Sequence, residues 1–217
     1  QSIISHSFDF LSALAVPMVV GGYLLAYPII FIVSNSEYLS RVGEGFYGSD
    51  IAFQILVFAS LFQFLNVLFA FVLIALDKQY KMLYINGSCV IFKIITSLIF
   101  VPAYGFRAAA ISSVVSELFI LICTYFAARH YLKFHLNFKN LSKIIGSALI
   151  MGLTIYLLQP ITYKFLQNWN VVLLILIGMA VYGALLLATK VVDKNMLAVL
   201  RQKEAITPPE NIHTSGP

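Results

Sequence analysis

Residues 82–100 read MLYINGSCVIFKIITSLIF, and residues 106–128 read FRAAAISSVVSELFILICTYFAA. Both runs are long enough to cross a bilayer as helices, yet each carries a charge deep in its interior, Lys93 or Glu117, eleven residues after its start. At about 1.5 Å per residue, each charge lies ~16 Å deep in a hydrocarbon layer ~30 Å thick. An ionisable group at that depth costs at least ~2.5–3.5 kcal/mol unless it finds a partner, water or substrate, so both residues are candidates for a functional site.

The composition is that of an integral membrane protein. Of the 217 residues, 60% are hydrophobic and only 11% are charged, whereas a soluble domain carries roughly 25% charge. Six segments are long enough to span a membrane: residues 11–33, 51–76, 82–100, 106–128, 144–162 and 171–189.

The sequence therefore predicts an all-α, polytopic transmembrane helix bundle. Residues 1–135 contain the first four spans, and residues 136–190 contain two further transmembrane helices. Residues 191–217 are predicted to form a cytoplasmic tail that is partly amphipathic and then disordered. The last two spans are almost purely aliphatic, so we expect them to face lipid.

Positive charge is distributed unevenly between the two sides of this topology. Ten of the fourteen Lys and Arg residues fall in alternate connections or in the tail, and only three fall on the opposite side. The positive-inside rule places the ten in the cytoplasm together with both ends of this chain, which predicts a multi-pass protein of the cytoplasmic (inner) membrane. Because the net charge of +5 follows this membrane pattern, it does not indicate a nucleic-acid partner.

Polar residues in the second, third and fourth spans recur at helical spacing. Residues three or four apart share one face of a helix, and lipid cannot satisfy their polar atoms, so these stripes should face one another or an aqueous cavity. The predicted substrate cavity is lined by Lys93, Glu117, Gln63, Asn66, Asn86, Ser97 and Ser113. The alternative is a structural ion pair between Lys93 and Glu117 that locks two helices together.

Catalytic and cofactor motifs are not visible. The sequence has no glycine-rich phosphate loop and no zinc-binding pair of His on a helix, and one membrane-embedded acid is too few for a hydrolase or transferase. We therefore expect no enzyme activity, no metal site and no cofactor. A carrier fits better, because it needs polar groups at mid-membrane and helices that bend, and Pro17 and Pro28 in the first span predict bending.

Several short motifs resemble one family of membrane proteins. The connection VPAYGFRAAA at residues 101–110, followed by Ser116-Glu117, resembles a signature of the Wzx-type polysaccharide-biosynthesis flippases of the multidrug/oligosaccharidyl-lipid/polysaccharide exporter superfamily. The turn ALDKQ at residues 75–79 and the loop SEY at residues 36–38 are similar to further motifs of that family, in the same order. The chain departs from the family at Lys93, where Asn is common.

This resemblance implies that the chain is the C-terminal half of a flippase of twelve to fourteen spans in two lobes. Such a protein moves an undecaprenyl-pyrophosphate-linked oligosaccharide across the membrane by alternating access. The implied partners are that lipid-linked oligosaccharide, membrane lipids, an N-terminal lobe of the same polypeptide and the glycan polymerase machinery, with Lys93 as a candidate contact for the pyrophosphate. The alternatives are export of another amphiphilic cargo, or a membrane enzyme or scaffold of a glycan-assembly complex.

Overall fold

The computed structural model describes residues 2–34, 38–41, 48–132, 138–166 and 170–189. Within these ranges the chain forms seven helices, which confirms the predicted all-α fold. They are α1 (Ser2–Leu24), α2 (Ala26–Ser34), α3 (Ser49–Ala75), α4 (Gln79–Tyr104), α5 (Phe106–Tyr131), α6 (Phe138–Leu166) and α7 (Asn170–Ala188). The predicted cytoplasmic tail, residues 191–217, lies outside the described residues.

Six of these helices, all except α2, are long and apolar enough to cross a membrane, so the chain is a multi-pass membrane protein. The helices α3 to α7 cover the last five predicted spans, with ends that differ by a few residues. The first span differs more. Its helix starts at Ser2 instead of residue 11, and a break at Leu25 separates α1 from α2.

The break at Leu25 follows from Pro28. Proline has no N–H, so the carbonyl of Leu24, four residues earlier, loses its helical partner. The hydrogen bonds on either side are kept, because the Leu25 N–H donates to the Gly21 carbonyl and the Ile29 N–H donates to the Leu25 carbonyl, both at 2.9 Å. The bend predicted for the first span therefore has its break one turn before Pro28.

The helices pack in a row whose order differs from their order in the chain. Both α3 and α4 pack on α5, while α1 packs on α3 and α6, and α6 packs on α7. The order across the row is thus α4, α5, α3, α1, α6, α7. At one end of the row, only 6% of the apolar window of α4 is buried inside the protein, against 33% for α1. Because α4 packs extensively on only one helix, α5, most of its surface is not covered by the described part of the protein.

Two apolar clusters hold the row together, and both are built on α1. One cluster joins Phe8 of α1 to Phe69 of α3 and Ala128 of α5. The other joins α1 to Met151 of α6 and Leu174 of α7, which are both buried. The prediction that the last two spans face lipid is therefore wrong for one side of each helix. Lipid tails and aliphatic side chains are equally apolar, so composition does not distinguish a buried face from a lipid-facing one.

Tyr182 of α7 supplies a partner for a carbonyl that Pro17 leaves without one. The carbonyl of Ala13 would normally accept a hydrogen bond from the N–H of residue 17, which a proline lacks. The Tyr182 hydroxyl donates to this carbonyl at 2.8 Å, in a site where both residues are 7% exposed. An unpaired backbone group in hydrocarbon costs several kcal/mol, so this contact helps α1 to accommodate Pro17.

Two glycines bring α6 close to both of its neighbours. A Cβ atom on Gly152 would lie 2.7 Å from Cγ1 of Val20 in α1. A Cβ atom on Gly178 of α7 would lie 2.9 Å from Cδ1 of Ile155 in α6. Small residues at such crossings let helices approach each other closely, which is a main source of packing energy between helices in lipid.

Candidate functional site

The packing of α3 and α4 on α5 leaves a space between α3 and α4 that has α5 as its floor, and we call this space the groove. Both α3 and α4 pack along α5, but they contact each other only slightly. The α5 helix presents Ser112 and Ser116 to α4, and it presents Thr124 to α3. The strip of α5 between these two lines of contact forms the floor of the groove.

Helical rotation places Ser113 and Glu117 on this floor. At about 100° per residue, they are turned from Ser112 by about 100° and 140°, toward the side on which α3 packs. Both side chains are half-buried. The predicted polar stripe of α5 therefore lies between its two neighbours.

The stripe of α4 faces the same groove. Cys89 contacts α5 through the Ser116 carbonyl, and Lys93 and Ser97 are turned from Cys89 by about 40° and 80°. Because α4 and α5 run antiparallel, rotation in the same sense leads to the same side of their interface on both helices. Asn86 shares this stripe with Lys93, two turns away, and both side chains are exposed.

On α3, Asn66 contacts a neighbouring helix, whereas Gln63 is exposed. The Asn66 carbonyl oxygen accepts a hydrogen bond from the Thr124 hydroxyl of α5 at 2.8 Å, so Asn66 joins two helices. Gln63 is turned from Asn66 by about 60° toward α4, and it is exposed. The structure thus brings six of the seven predicted cavity residues to one groove. The seventh, Asn66, lies in the contact between α3 and α5.

Gln63, Lys93 and Glu117 lie at one depth. Gln63 is fourteen residues after the start of the 27-residue α3 at Ser49. Lys93 is fourteen residues after the start of the 26-residue α4, and Glu117 is eleven residues after the start of the 26-residue α5. Each lies within ~3 Å of the midpoint of its helix. An amide, a cation and a carboxyl group from three helices therefore form a polar belt at mid-membrane.

Lys93 and Glu117 are not in direct contact. No nitrogen–oxygen distance between these two side chains is 4.0 Å or less, although the charge of Lys93 acts electrostatically on Glu117. Glu117 is turned toward α3, two helical turns before Thr124, whereas Lys93 lies on the far wall of the groove. The two side chains therefore lie on different sides of the groove and do not form a salt bridge.

The remaining polar residues lie above and below the belt. Ser97 is seven residues before the end of α4 and Ser113 is seven residues after the start of α5, so both lie ~10 Å inside the end that carries the α4–α5 turn. The Ser113 hydroxyl donates to the Ala109 carbonyl of its own helix at 3.0 Å. Asn86 is seven residues after the start of α4, in the opposite half of the bundle. Polar groups therefore extend along much of the groove.

Three polar residues that attach α4 to α5, and the cysteine beside them, were not predicted as contact residues. The hydroxyls of Thr96 and Ser112 lie 2.9 Å apart, and the Cys89 thiol donates to the Ser116 carbonyl at 3.6 Å. Ser112 and Ser116 are buried and four residues apart, which is the spacing of a packing face. That spacing is the signal in the sequence that marks these two serines as interface residues.

No protein-family model, curated protein or solved structure matches the chain. The residues of the groove themselves indicate its chemistry. Lys93 offers three N–H donors, Gln63 and Asn86 offer amide donors and acceptors, and Glu117 offers acceptors. Such a set can hold a polar or anionic group at mid-membrane.

Proposed function

We propose that this protein is a membrane transporter, and specifically a Wzx-type flippase of lipid-linked oligosaccharide. The observation that carries the proposal is the belt of Gln63, Lys93 and Glu117 at the midpoints of three helices, on a groove that stays open. Ionisable groups are kept at this depth mainly where they serve substrates, ions or protons.

Each part of the groove has a role in this proposal. The Lys93 ammonium contacts the pyrophosphate of an undecaprenyl-pyrophosphate-linked oligosaccharide, because a cation attracts an anion strongly where the dielectric constant is low. The amides of Gln63 and Asn86 and the hydroxyls of Ser97 and Ser113 hydrogen-bond the sugars. The polyprenyl chain remains in the bilayer. Nothing in this scheme requires a covalent step, so the protein acts as a carrier and not as an enzyme.

The open groove is one wall of the transport path in this proposal. A second lobe of the same polypeptide, with six to eight spans and preceding this one, supplies the other wall. Rocking of the two lobes exposes Lys93 alternately to each side of the cytoplasmic membrane, with both ends of this chain in the cytoplasm. The many positive charges at that side support this orientation.

The test is a flipping assay on the full native polypeptide in proteoliposomes that contain undecaprenyl-pyrophosphate-linked oligosaccharide. A sugar-cleaving enzyme added outside measures how fast the glycan of the inner leaflet becomes accessible. We expect Lys93→Gln to slow flipping at least tenfold, because a charged hydrogen bond is worth about 1.5–3 kcal/mol. Lys143→Gln, at an exposed helical lysine outside the groove, is the matched control and should flip normally.

Two results would contradict the proposal. If the native protein does not flip this substrate but exports a cationic dye, the cargo is a different amphiphile. If Lys93→Gln flips normally while Glu117→Gln fails to fold, the two charges serve structure, and the groove is not the path.

A further inference from the structure

A cavity of about 540 Å³ lies between α4 and α5, on the side of their interface that faces away from the groove. Ile111 and Val115 line it, and both are turned from Ser112 in the opposite sense to Ser113. We call it the lateral cavity. Since it lies beside two membrane-spanning helices and not on the groove, the transport path proposed above does not use it.

The lateral cavity has the length of one lipid leaflet. On α4 its walls run from Phe92, near the middle of the helix, through Phe100 to Tyr104, the last residue of the helix. Twelve residues of helix from Phe92 to Tyr104 measure ~18 Å, and the hydrocarbon part of one leaflet is ~15 Å thick. A single acyl chain that lies along α4 would therefore fit from its methyl end to its ester.

The deep part of the cavity offers no free polar group to a ligand. Thr96 and Ser112 line it, but their hydroxyls lie 2.9 Å apart and bond each other. The Thr96 hydroxyl donates its one hydrogen to the Phe92 carbonyl of its own helix, so it accepts the hydrogen bond from Ser112. The other deep walls are aromatic and aliphatic, so this part of the cavity suits a hydrocarbon chain.

The shallow end carries one cation. Arg107 is the second residue of α5, at the end of the bundle where α4 ends at Tyr104, and it lines the cavity. An arginine guanidinium binds phosphate through two parallel N–H donors, and its depth here is that of a phospholipid headgroup. The charge at the mouth and the apolar interior thus complement the two ends of an anionic lipid.

We propose that the lateral cavity binds one acyl chain of an anionic phospholipid of the surrounding bilayer, with the lipid phosphate at Arg107. The lipid comes from the leaflet on the side of the α4–α5 turn. Because α4 packs mainly on α5, a lipid in this cavity adds contacts to the least buried helix of the bundle.

The test measures lipid binding and thermal stability of the purified protein in detergent. Dioleoyl phosphatidylglycerol should raise the Tm about 3 °C more than dioleoyl phosphatidylcholine, and native mass spectrometry should show one retained phosphatidylglycerol. Inorganic phosphate should give no such rise, because it lacks the chain. Equal shifts with both lipids would overturn the proposal, and the full shift with inorganic phosphate would mean a phosphate site without a lipid.

Two variants separate the headgroup from the chain. Arg107→Gln should weaken phosphatidylglycerol binding about tenfold and remove the preference over phosphatidylcholine. Val115→Trp keeps the charge but fills the cavity, so the retained lipid should be lost. Arg129→Gln removes an exposed arginine at the opposite end of α5 and should keep the preference. If the preference survives in both Arg107→Gln and Val115→Trp, the anionic lipid binds elsewhere.

Discussion

Replacing Tyr182 with Phe removes one hydroxyl and leaves the ring in place. That hydroxyl is the partner of the Ala13 carbonyl, which has no N–H to accept from because residue 17 is a proline. The site is buried, so water does not readily replace the hydroxyl as the hydrogen-bond donor to this carbonyl. Measured hydrogen bonds between membrane helices average about 0.6 kcal/mol and reach ~1.7 kcal/mol, and a buried unsatisfied group costs about 1–3 kcal/mol. We expect Tyr182→Phe to cost about 1 kcal/mol.

The assay is thermal unfolding of the purified protein in detergent, followed by circular dichroism. For a chain of this size, 1 kcal/mol corresponds to a Tm shift of about 2–4 °C. Tyr156→Phe removes a hydroxyl from an α6 tyrosine that is 64% exposed, and it should leave the Tm unchanged.

A variant without Pro17 tests whether the Tyr182 hydroxyl replaces the missing N–H. With Pro17→Ala, residue 17 regains its N–H and can bond the Ala13 carbonyl within α1, so loss of the Tyr182 hydroxyl should then cost little. The two single variants and the double variant form a cycle, and its interaction term should be close to the full effect of Tyr182→Phe. If Tyr182→Phe costs the same with Pro17 and without it, the hydroxyl does not act by replacing the missing N–H.

Three further predictions concern packing and access to the groove. Gly178→Val should lower the free energy of unfolding by about 1–3 kcal/mol, because the new side-chain atoms clash with Ile155. In the same thermal unfolding assay, Gly183→Val should leave the Tm unchanged, because no atom lies within contact distance of its new Cβ. Thr124→Val should cost roughly 1 kcal/mol in the same unfolding assay, because Asn66 loses its hydrogen bond, and an unchanged Tm would show that this bond does not stabilise the bundle. In a background without the native cysteines, Lys93→Cys should react with a membrane-impermeant maleimide, because we expect water in the groove. Leu98→Cys, exposed on the lipid-facing side of the same helix, should not react. Equal labelling of the two variants would mean that the groove contains no more water than the lipid-facing surface.

The sequence was sufficient to predict the spans and the polar stripes. Runs of about twenty apolar residues have few other structures available, because lipid leaves no partner for unpaired backbone groups. For the same reason, Gln63, Lys93 and Glu117 could be assigned to a shared polar surface before any packing was known. The bend of the first span was predicted, but the position of its break at Leu25 was not, because Pro17 and Pro28 look alike in the sequence. Only the structure shows that Tyr182 compensates for the first.

The sequence could not predict the neighbours of each helix. Most helix surfaces here are equally apolar, so hydropathy does not indicate that α3 pairs with α5, or that α6 and α7 cover α1. The distance between Lys93 and Glu117 depends on how α5 is rotated about its own axis. Thr124 contacts α3 and Ser116 contacts α4, and these two contacts together fix that rotation. The contact roles of the serines at 112 and 116 were not predicted, because a serine that packs against a helix and a serine that lines a cavity look alike in the sequence.

The contact between Tyr182 and Ala13 joins residues 169 positions apart, and the ribosome makes α1 long before α7. At about 5–20 residues per second, roughly 8–34 s pass between synthesis of the carbonyl and synthesis of its partner. During this interval α1 is already long and apolar enough to enter the bilayer, but the Ala13 carbonyl still lacks the hydrogen bond from Tyr182. Water near the insertion machinery can supply that bond, and the lipid interior cannot. Completion of the bundle therefore depends on its last helix, which supplies the partner for a carbonyl in its first.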